Sequence, residues 1–585
     1  MKSTKKGEFC ALYTPEGETL CAALQRGEQV CPWEKDYPRP QLRRDSYACL
    51  NGFWDFCEGD AAEWERILVP FAPESLLSGI HRVIRPGVPL HYRTHFSLPD
   101  GFARGRVILH FGAVDQVATV RLNGQTLGTH EGGYESFSFD ITDVLQAQNE
   151  LLVDVIDDAD GGTLPYGKQR RQRGGMWYTT VSGIWQTVWL ESVPERYVSA
   201  LRLTPNGQGA TLEVDMNDGS AAQGEVTVTT PQGEERFVLT DGVATLAPRQ
   251  VRCWSPEDPY LYAFALHCGE DTVHSYFAIR VLEVRTFNGL PRLCLNGEPY
   301  FFHGLLDQGY WSDGIYTPAD PLCYEKDILT AKALGFNMLR KHIKVEAARF
   351  YYECDRLGMV VFQDMVNNGA YSFIRDTALP TVGLKKRRDG RMHRDADTRA
   401  AFEAGMRSTV RSLYNHPSVC YWTVFNEGWG QFESQRMQAL LRELDSTRLI
   451  DTASGWFDAG ADSDVESLHI YFKPVRISPA ARPVVLSEFG GFSYAVEQHI
   501  FNPSRAYGYG RCGAREELAA RLVKVYREEI LPAVERGLCA TVYTQLSDVE
   551  DEINGILTYD RRVCKLLAEE FLPVSLELRR KIGQK

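Results

Sequence analysis

The chain has 585 residues, too many for one hydrophobic core, so two or three domains are expected. A composition of 44% hydrophobic and 24% charged residues is that of a globular protein, and a formal charge of −13 argues against DNA or RNA as partners. Aromatic residues reach 11%, which suits flat-faced ligands and β-rich cores alike.

The opening stretch "MKSTKKGEFCALYTPEG" lacks an apolar run of signal-peptide length, and no window approaches the ~18 apolar residues of a membrane span. A cytoplasmic location with no membrane association is expected. The 14 cysteines show no paired CxxC spacing, and Cys253, Cys268, Cys420 and Cys539 sit in apolar runs, so they read as reduced small hydrophobes rather than zinc ligands or disulfides.

From about residue 40 to 290 the texture is short alternating segments, such as "RVILHFG", "NELLVDVIDD", "ATLEVDMNDG" and "GEVTVTTPQG". Turn residues such as Asn123-Gly124 and Asn217-Asp218-Gly219 separate them, the pattern of β-sandwiches. The length allows two sandwiches, with a break at "ESVPERYVSA", residues 191–200.

After 290 strand-like runs alternate with helical ones. Eight runs read as strands: 300–306, 337–342, 359–364, 419–427, 448–454, 467–472, 484–488 and 539–546. Helical periodicity marks 321–335, 345–358, 399–416, 434–445 and 515–537. The basic run "LKKRRDGRMHRD" at 384–395 reads as solvated loop. Eight strands alternating with helices are the count of a (β/α)8 barrel. The expected domains are therefore 1–195, 196–290 and 291–585.

In such a barrel the C-terminal strand ends point into a shared mouth. The runs end in or beside Asp307, His342, Asp364, Asn426 with Glu427, Ser454, His469 with Tyr471, Glu488 and Gln545. Glu427 and Glu488 end the fourth and seventh runs, so they can face each other across a ligand. A lone strand-end glutamate most often pairs with a neighbouring cation. Two of them, each ending an apolar run and followed by Gly428 or by Gly490-Gly491, suit the acid and the nucleophile of glycoside hydrolysis. That chemistry needs no metal or cofactor. Tyr471 can hydrogen-bond Glu488 and help hold it ionised. Trp429 and Trp311 are candidate walls of the cup; Phe425 suits the core.

The stretch "YNHPSVCYWTVFNEGWG" at 414–430, with "LSEFGG" downstream, resembles the "RNHPSV…NE" signature of glycoside hydrolase family 2. The resemblance extends to "RPQLRRDSYACLNGFWDF", "VPFAPESLLSGI" and "WSPEDPYLY". It implies an N-terminal sugar-binding-like jelly-roll β-sandwich, an immunoglobulin-like β-sandwich and a C-terminal (β/α)8 TIM barrel. It further implies that Glu427 is the general acid/base and Glu488 the nucleophile of a retaining exo-β-glycosidase. Their carboxyls should then lie about 5–5.5 Å apart. By the same resemblance Asn426 contacts the sugar 2-hydroxyl, His342 binds sugar, and Tyr543 stands where relatives carry a Trp platform.

Asp307 and Asp364 are substrate contacts or ion-pair partners of Arg340 and Lys341. Relatives place an Asp shortly before "SGI", where this chain has Trp177 and Tyr178, so Asp160 of the 157–175 loop is the substitute candidate. Glucuronidases of the family carry Asn-x-Lys where this chain has Glu552 and Asn554, and a glutamate there would repel a uronate. A β-galactosidase-like activity is therefore expected, with β-glucuronidase or β-mannosidase as alternatives. The partner is a carbohydrate substrate, and a homo-oligomer is allowed. A carbohydrate-binding protein with an inactive barrel is the non-enzymatic rival, disfavoured because both carboxylates are present.

Overall fold

The computed structural model describes residues 9–60, 63–381, 383–384, 389–457 and 462–583. The basic run at 384–395 lies partly outside these residues. In the first sandwich one sheet has the order Ala48–Cys49, Val188–Val193, Arg106–Phe111, Phe137–Asp140. The facing sheet runs Glu65–Val69, Gly52–Glu58, Leu90–Phe96, Asn149–Ile156, Val117–Leu122, Gln125–Glu131. Along Asn149–Ile156 the buried positions are Asn149, Leu151, Val153 and Val155, the period of two that puts one strand face on a core. Phe56, Tyr92 and Val153 of one sheet meet Leu109, Phe111 and Leu190 of the other.

The second sandwich packs Val198–Pro205, Ala210–Met216 and Val243–Leu246 against Gly233–Leu239, Gly224–Thr230, Tyr262–Cys268 and Asp271–Phe277. Its core includes Leu212, Val226, Phe264 and Phe277. The chain leaves through the hairpin Leu282–Phe287 and Leu290–Leu295. Leu293, Leu295 and Trp254 close the barrel floor beside Phe302, Met338 and Tyr421, and Trp254 Nε1 donates to Asp355 O at 2.8 Å.

All eight expected barrel strands form: β1 (Phe302–Asp307), β2 (Met338–Lys341), β3 (Val360–Asp364), β4 (Val419–Asn426), β5 (Leu449–Ser454), β6 (Glu466–Ile470), β7 (Val484–Phe489) and β8 (Leu538–Tyr543). They pair in parallel in the order β5-β4-β3-β2-β1-β8-β7-β6. Among the described residues no ladder joins β5 to β6. Hydroxyls stitch that seam instead: Ser454 Oγ lies 3.2 Å from Ser467 Oγ, which lies 2.7 Å from Ser487 Oγ.

Two helical expectations change. The segment read as one helix over 515–537 is Arg515–Val525, a π-helical turn at Tyr526–Ile530, and Leu531–Val534. Pro532 has no N–H to continue the regular ladder, and the widened turn seats Tyr526, whose hydroxyl lies 2.8 Å from His303 Nε2. A helix not anticipated from the sequence, Ala568–Ile582, packs Phe571, Val574 and Leu578 onto the barrel. Among the described residues no helix is long and apolar enough to cross a membrane.

Candidate active site

Strand β4 is buried at every position, as expected of a parallel strand covered on both faces. Just past its end Glu427 adopts φ +52°, a left-handed backbone that costs a non-glycine residue roughly 1–2 kcal/mol. The next residue has to be glycine. Gly428 has φ +77°, and a Cβ there would stand 2.3 Å from Phe457 Cδ2. Gly490, after Glu488, repeats the arrangement with φ +81° and Tyr543 Cε2 at 2.5 Å. A glycine one residue after Glu427 and two after Glu488 therefore lets the chain turn away tightly and leaves each carboxylate at the barrel mouth.

The two carboxylates converge. An oxygen of each and a ring nitrogen of His469 all lie within 4.8 Å of one another. His469 Nδ1 is 2.9 Å from Glu427 Oε1, and its Nε2 is 3.0 Å from Ser454 Oγ and 3.6 Å from Glu488 Oε1. Their environments separate them. Burial, reinforced by the charge on Glu488, raises the pKa of Glu427 despite its contact with His469. Burial also opposes ionisation of Glu488, but His469, Arg340, His342 and the Tyr471 hydroxyl outweigh it and hold the group down to about 2. Among the described residues, Glu427, His469 and Glu488 are also the group close enough to share a metal ion. Arg340 already supplies the positive charge that faces Glu488.

Arg340 is the hub of this wall, fully buried on β2. Its Nε donates to both oxygens of Asp364 at 3.0 and 3.1 Å, and its Nη1 to Ser487 O at 3.0 Å and Glu488 Oε1 at 3.2 Å. Its Nη2 donates to Asn426 Oδ1 at 2.9 Å. That bond fixes the Asn426 amide so that Nδ2, buried and without a partner among the described residues, is its remaining donor. Tyr471 OH donates to Glu488 Oε2 at 2.7 Å, lies 2.9 Å from Thr544 Oγ1 and stacks on Tyr509 at 4.1 Å. His342 Nδ1 lies 2.7 Å from Asp364 Oδ2, and burial pushes its pKa down to about 4, so the ring is neutral at pH 7.

Four of the residues expected to bind substrate are otherwise engaged. Asp307 accepts from Lys341 Nζ at 2.6 Å and from Gly309 N at 2.9 Å, and Lys341 also pairs with Glu346. Asp364 is spent on Arg340 and His342. For both aspartates the ion-pair reading holds, because a carboxylate this buried needs a cation at hand. Tyr543 is no platform: its ring lies against Gly490 and edge-on to Phe489, and its hydroxyl accepts from Phe492 N at 3.2 Å. Asp160 stays within its own loop, paired with Arg171 at 2.6 Å and Arg170 at 3.4 Å. Trp311, a candidate wall, packs edge-on to Tyr324 beneath Arg561.

The sandwich loop nevertheless reaches the barrel mouth. Tyr166 OH donates to Gly369 O at 2.7 Å, Arg173 Nη1 to Glu550 Oε2 at 2.9 Å, and Tyr178 OH to Glu552 Oε2 at 2.5 Å. Between these anchors Trp177 packs on Trp429 at 5.2 Å and on Tyr371 at 4.7 Å, and Lys168 lies over the Trp429 ring. Trp429 thus joins the site as one side of an aromatic wall shared by two domains. The sequence marked Arg340 only as an ion-pair partner, His469 only as a strand-end residue and Trp177 only as standing where relatives place an Asp, and it did not single out Lys168. A cation inside an apolar strand, as in "NMLRKH", is the signal that could have marked Arg340 as a hub.

Two β-sandwiches and a (β/α)8 barrel whose mouth holds two facing glutamates define a multidomain barrel protein of the carbohydrate-active type. The family description "Glycosyl hydrolases family 2, TIM barrel domain" matches residues 291–476, and "Glycosyl hydrolase 2 galactose-binding domain-like" matches 87–174. These matches, over the barrel and part of the first sandwich, support assignment to glycoside hydrolase family 2. A β-galactosidase of Aeromonas hydrophila is 27% identical over 405 residues, covering 63% of this chain and 36% of the relative. The aligned parts of three curated relatives cover 36%, 39% and 50% of their lengths. A β-galacturonidase from Eisenbergiella tayi bound to galacturonate shares the fold with a TM-score of 0.67 at 19% identity, over 93% of this chain and 99% of that one. A β-D-glucuronidase from Dictyoglomus thermophilum gives 0.72 at 17% identity, over 94% and 99%.

Proposed function

We propose that the protein is a retaining exo-β-glycosidase in which Glu488 is the nucleophile and Glu427 the general acid/base. One observation carries this reading: two buried carboxylates with an oxygen of each within 4.8 Å of the other, the pKa of one raised and that of the other held near 2. Retaining enzymes set their carboxyls about 5–5.5 Å apart, against roughly 6.5–9.5 Å where a water must fit between carboxylate and sugar. The sandwich loop over the barrel mouth supports a cup for one terminal sugar.

In the first step a Glu488 oxygen bonds to the anomeric carbon. The bond to the leaving oxygen breaks, and that oxygen takes the proton of Glu427. In the second step Glu427, now a carboxylate, takes a proton from water, and the water oxygen displaces Glu488 from the anomeric carbon. Arg340 and Tyr471 keep Glu488 anionic and oriented. Asn426 Nδ2, with its oxygen tied to Arg340, offers a donor to the sugar 2-hydroxyl oxygen.

The sequence pointed to a β-galactoside because Glu552 would repel a uronate. Glu552 does not face the cup alone: its Oε2 accepts from Tyr178 and its Oε1 from Asn554 Nδ2 at 2.9 Å, with Lys168 nearby. The glycosidase reading is tested with aryl β-galactosides, β-glucosides, β-mannosides and β-glucuronides. Turnover of at least one, reduced by several orders of magnitude in Glu488→Gln, is expected. No turnover of any, or a Glu488→Gln variant within tenfold of wild type, contradicts it.

A further inference from the structure

The loop at 157–175 carries four basic residues after Tyr166, and three are matched: Arg170 and Arg171 by Asp160, Arg173 by Glu550 and Asp551. Lys168 is not. It is only 5% exposed, and its Nζ stands 4.5 Å from the Trp429 ring centroid and 5.6 Å from that of Trp177. Among the described residues no hydrogen-bond acceptor or carboxylate pairs with it. Glu552, Glu488 and Glu427 act on it only at longer range, favouring its charged form against burial.

A buried ammonium has three N–H donors and no acceptor, and two indole faces return only part of its lost hydration. Its neighbours in the wall have the same need, since Asn426 Nδ2 and Trp429 Nε1 are buried donors without partners among the described residues. This side of the cup offers donors and a positive charge and asks for acceptors. A sugar hydroxyl would satisfy one N–H but leave the charge unpaired. A carboxylate would satisfy both. Glu552 is not that group: its oxygens accept from Tyr178 and Asn554, and it makes no hydrogen bond or ion pair with Lys168.

We propose that Lys168 is the specificity-determining residue of the cup and receives the carboxylate of an acidic terminal sugar, so that the preferred substrate is a β-linked uronide rather than a neutral galactoside. This rests on the glycosidase reading. It replaces the repulsion expected from Glu552 with recognition by a cation delivered from the N-terminal sandwich.

The test compares aryl β-galacturonide and β-glucuronide with the matching galactoside and glucoside, in wild type, Lys168→Met and Lys168→Arg. Wild type is expected to favour a uronide in kcat/KM. Lys168→Met should lower the ratio of uronide to neutral-sugar kcat/KM by roughly 100-fold, as for truncation of one member of a buried charge pair, and Lys168→Arg should restore part of it. A wild type that prefers neutral glycosides, or an unchanged ratio in Lys168→Met, overturns the proposal while leaving the glycosidase reading intact. A readout independent of turnover is thermal stabilisation of Glu488→Gln by free galacturonate or glucuronate. One of them should raise Tm more than galactose or glucose at equal concentration, and adding Lys168→Met should abolish the difference. If nothing is hydrolysed, the glycosidase reading fails, and this shift still decides for or against Lys168.

Discussion

Replacing Tyr471 by Phe removes one oxygen and leaves the ring stacked on Tyr509 at 4.1 Å. The lost bond is an O–H donor on a buried carboxylate, 2.7 Å from Glu488 Oε2. Charge-assisted bonds of this kind contribute about 1.5–3 kcal/mol, which corresponds to a fall of roughly 10- to 100-fold in kcat/KM if the bond orients the nucleophile in the transition state. The sign of the pH effect follows. Tyr471 stabilises the ionised form, so its removal raises the Glu488 pKa from about 2 and moves the acidic limb of the kcat/KM profile to higher pH. Steady-state kinetics on an aryl glycoside between pH 3 and 8, with circular dichroism to confirm folding, measure both effects. A variant with wild-type kcat/KM and an unmoved acidic limb would refute the role given to Tyr471.

The alkaline limb should report Glu427, whose raised pKa keeps it protonated until the pH rises through that value; Glu427→Gln should remove the limb, and azide should restore turnover of substrates with good leaving groups. An unchanged profile in that variant would reject the acid/base assignment. Asn426→Ala should lower kcat/KM for a glycoside by roughly tenfold or more but have a smaller effect on its 2-deoxy analogue, a difference visible in parallel kinetics. Away from the site, burial raises the Glu74 pKa to about 8, with Ser182 N its partner at 3.2 Å. The folded state then holds an extra proton between the ordinary carboxylate pKa and about 8, and stability falls as pH rises through that window. Glu74→Gln should remove a pH dependence on the order of 4 kcal/mol, read as a smaller drop in Tm from pH 5 to pH 8.5.

The barrel was legible in the sequence because its strands are continuous apolar runs ending in polar residues, as in Val419–Asn426 followed by Glu427. The sandwiches were legible through alternation and turn residues. The roles of individual mouth residues were less so, because they depend on which charges meet through space. Asp307 and Asp364 sit at strand ends as expected, yet Lys341 and Arg340 beside them take up their charge. Asp160 is held by two arginines within ten or so residues of it, whereas Lys168 of the same loop reaches a tryptophan 261 positions later in the chain. Tyr543 points at Gly490 rather than into the cup, an orientation that composition and periodicity do not encode. The helix Ala568–Ile582 was missed because Pro573 lies inside it and obscures its period.

The central claim is that Glu488 forms a covalent bond with the sugar while Glu427 serves as proton donor and then base. Incubation with an activated 2-deoxy-2-fluoro β-glycoside, followed by proteolysis and mass spectrometry, tests it most directly. One sugar equivalent should be bound, on the peptide containing Glu488, with activity lost in step. A label on another residue, or product of inverted anomeric configuration with no adduct, would contradict it.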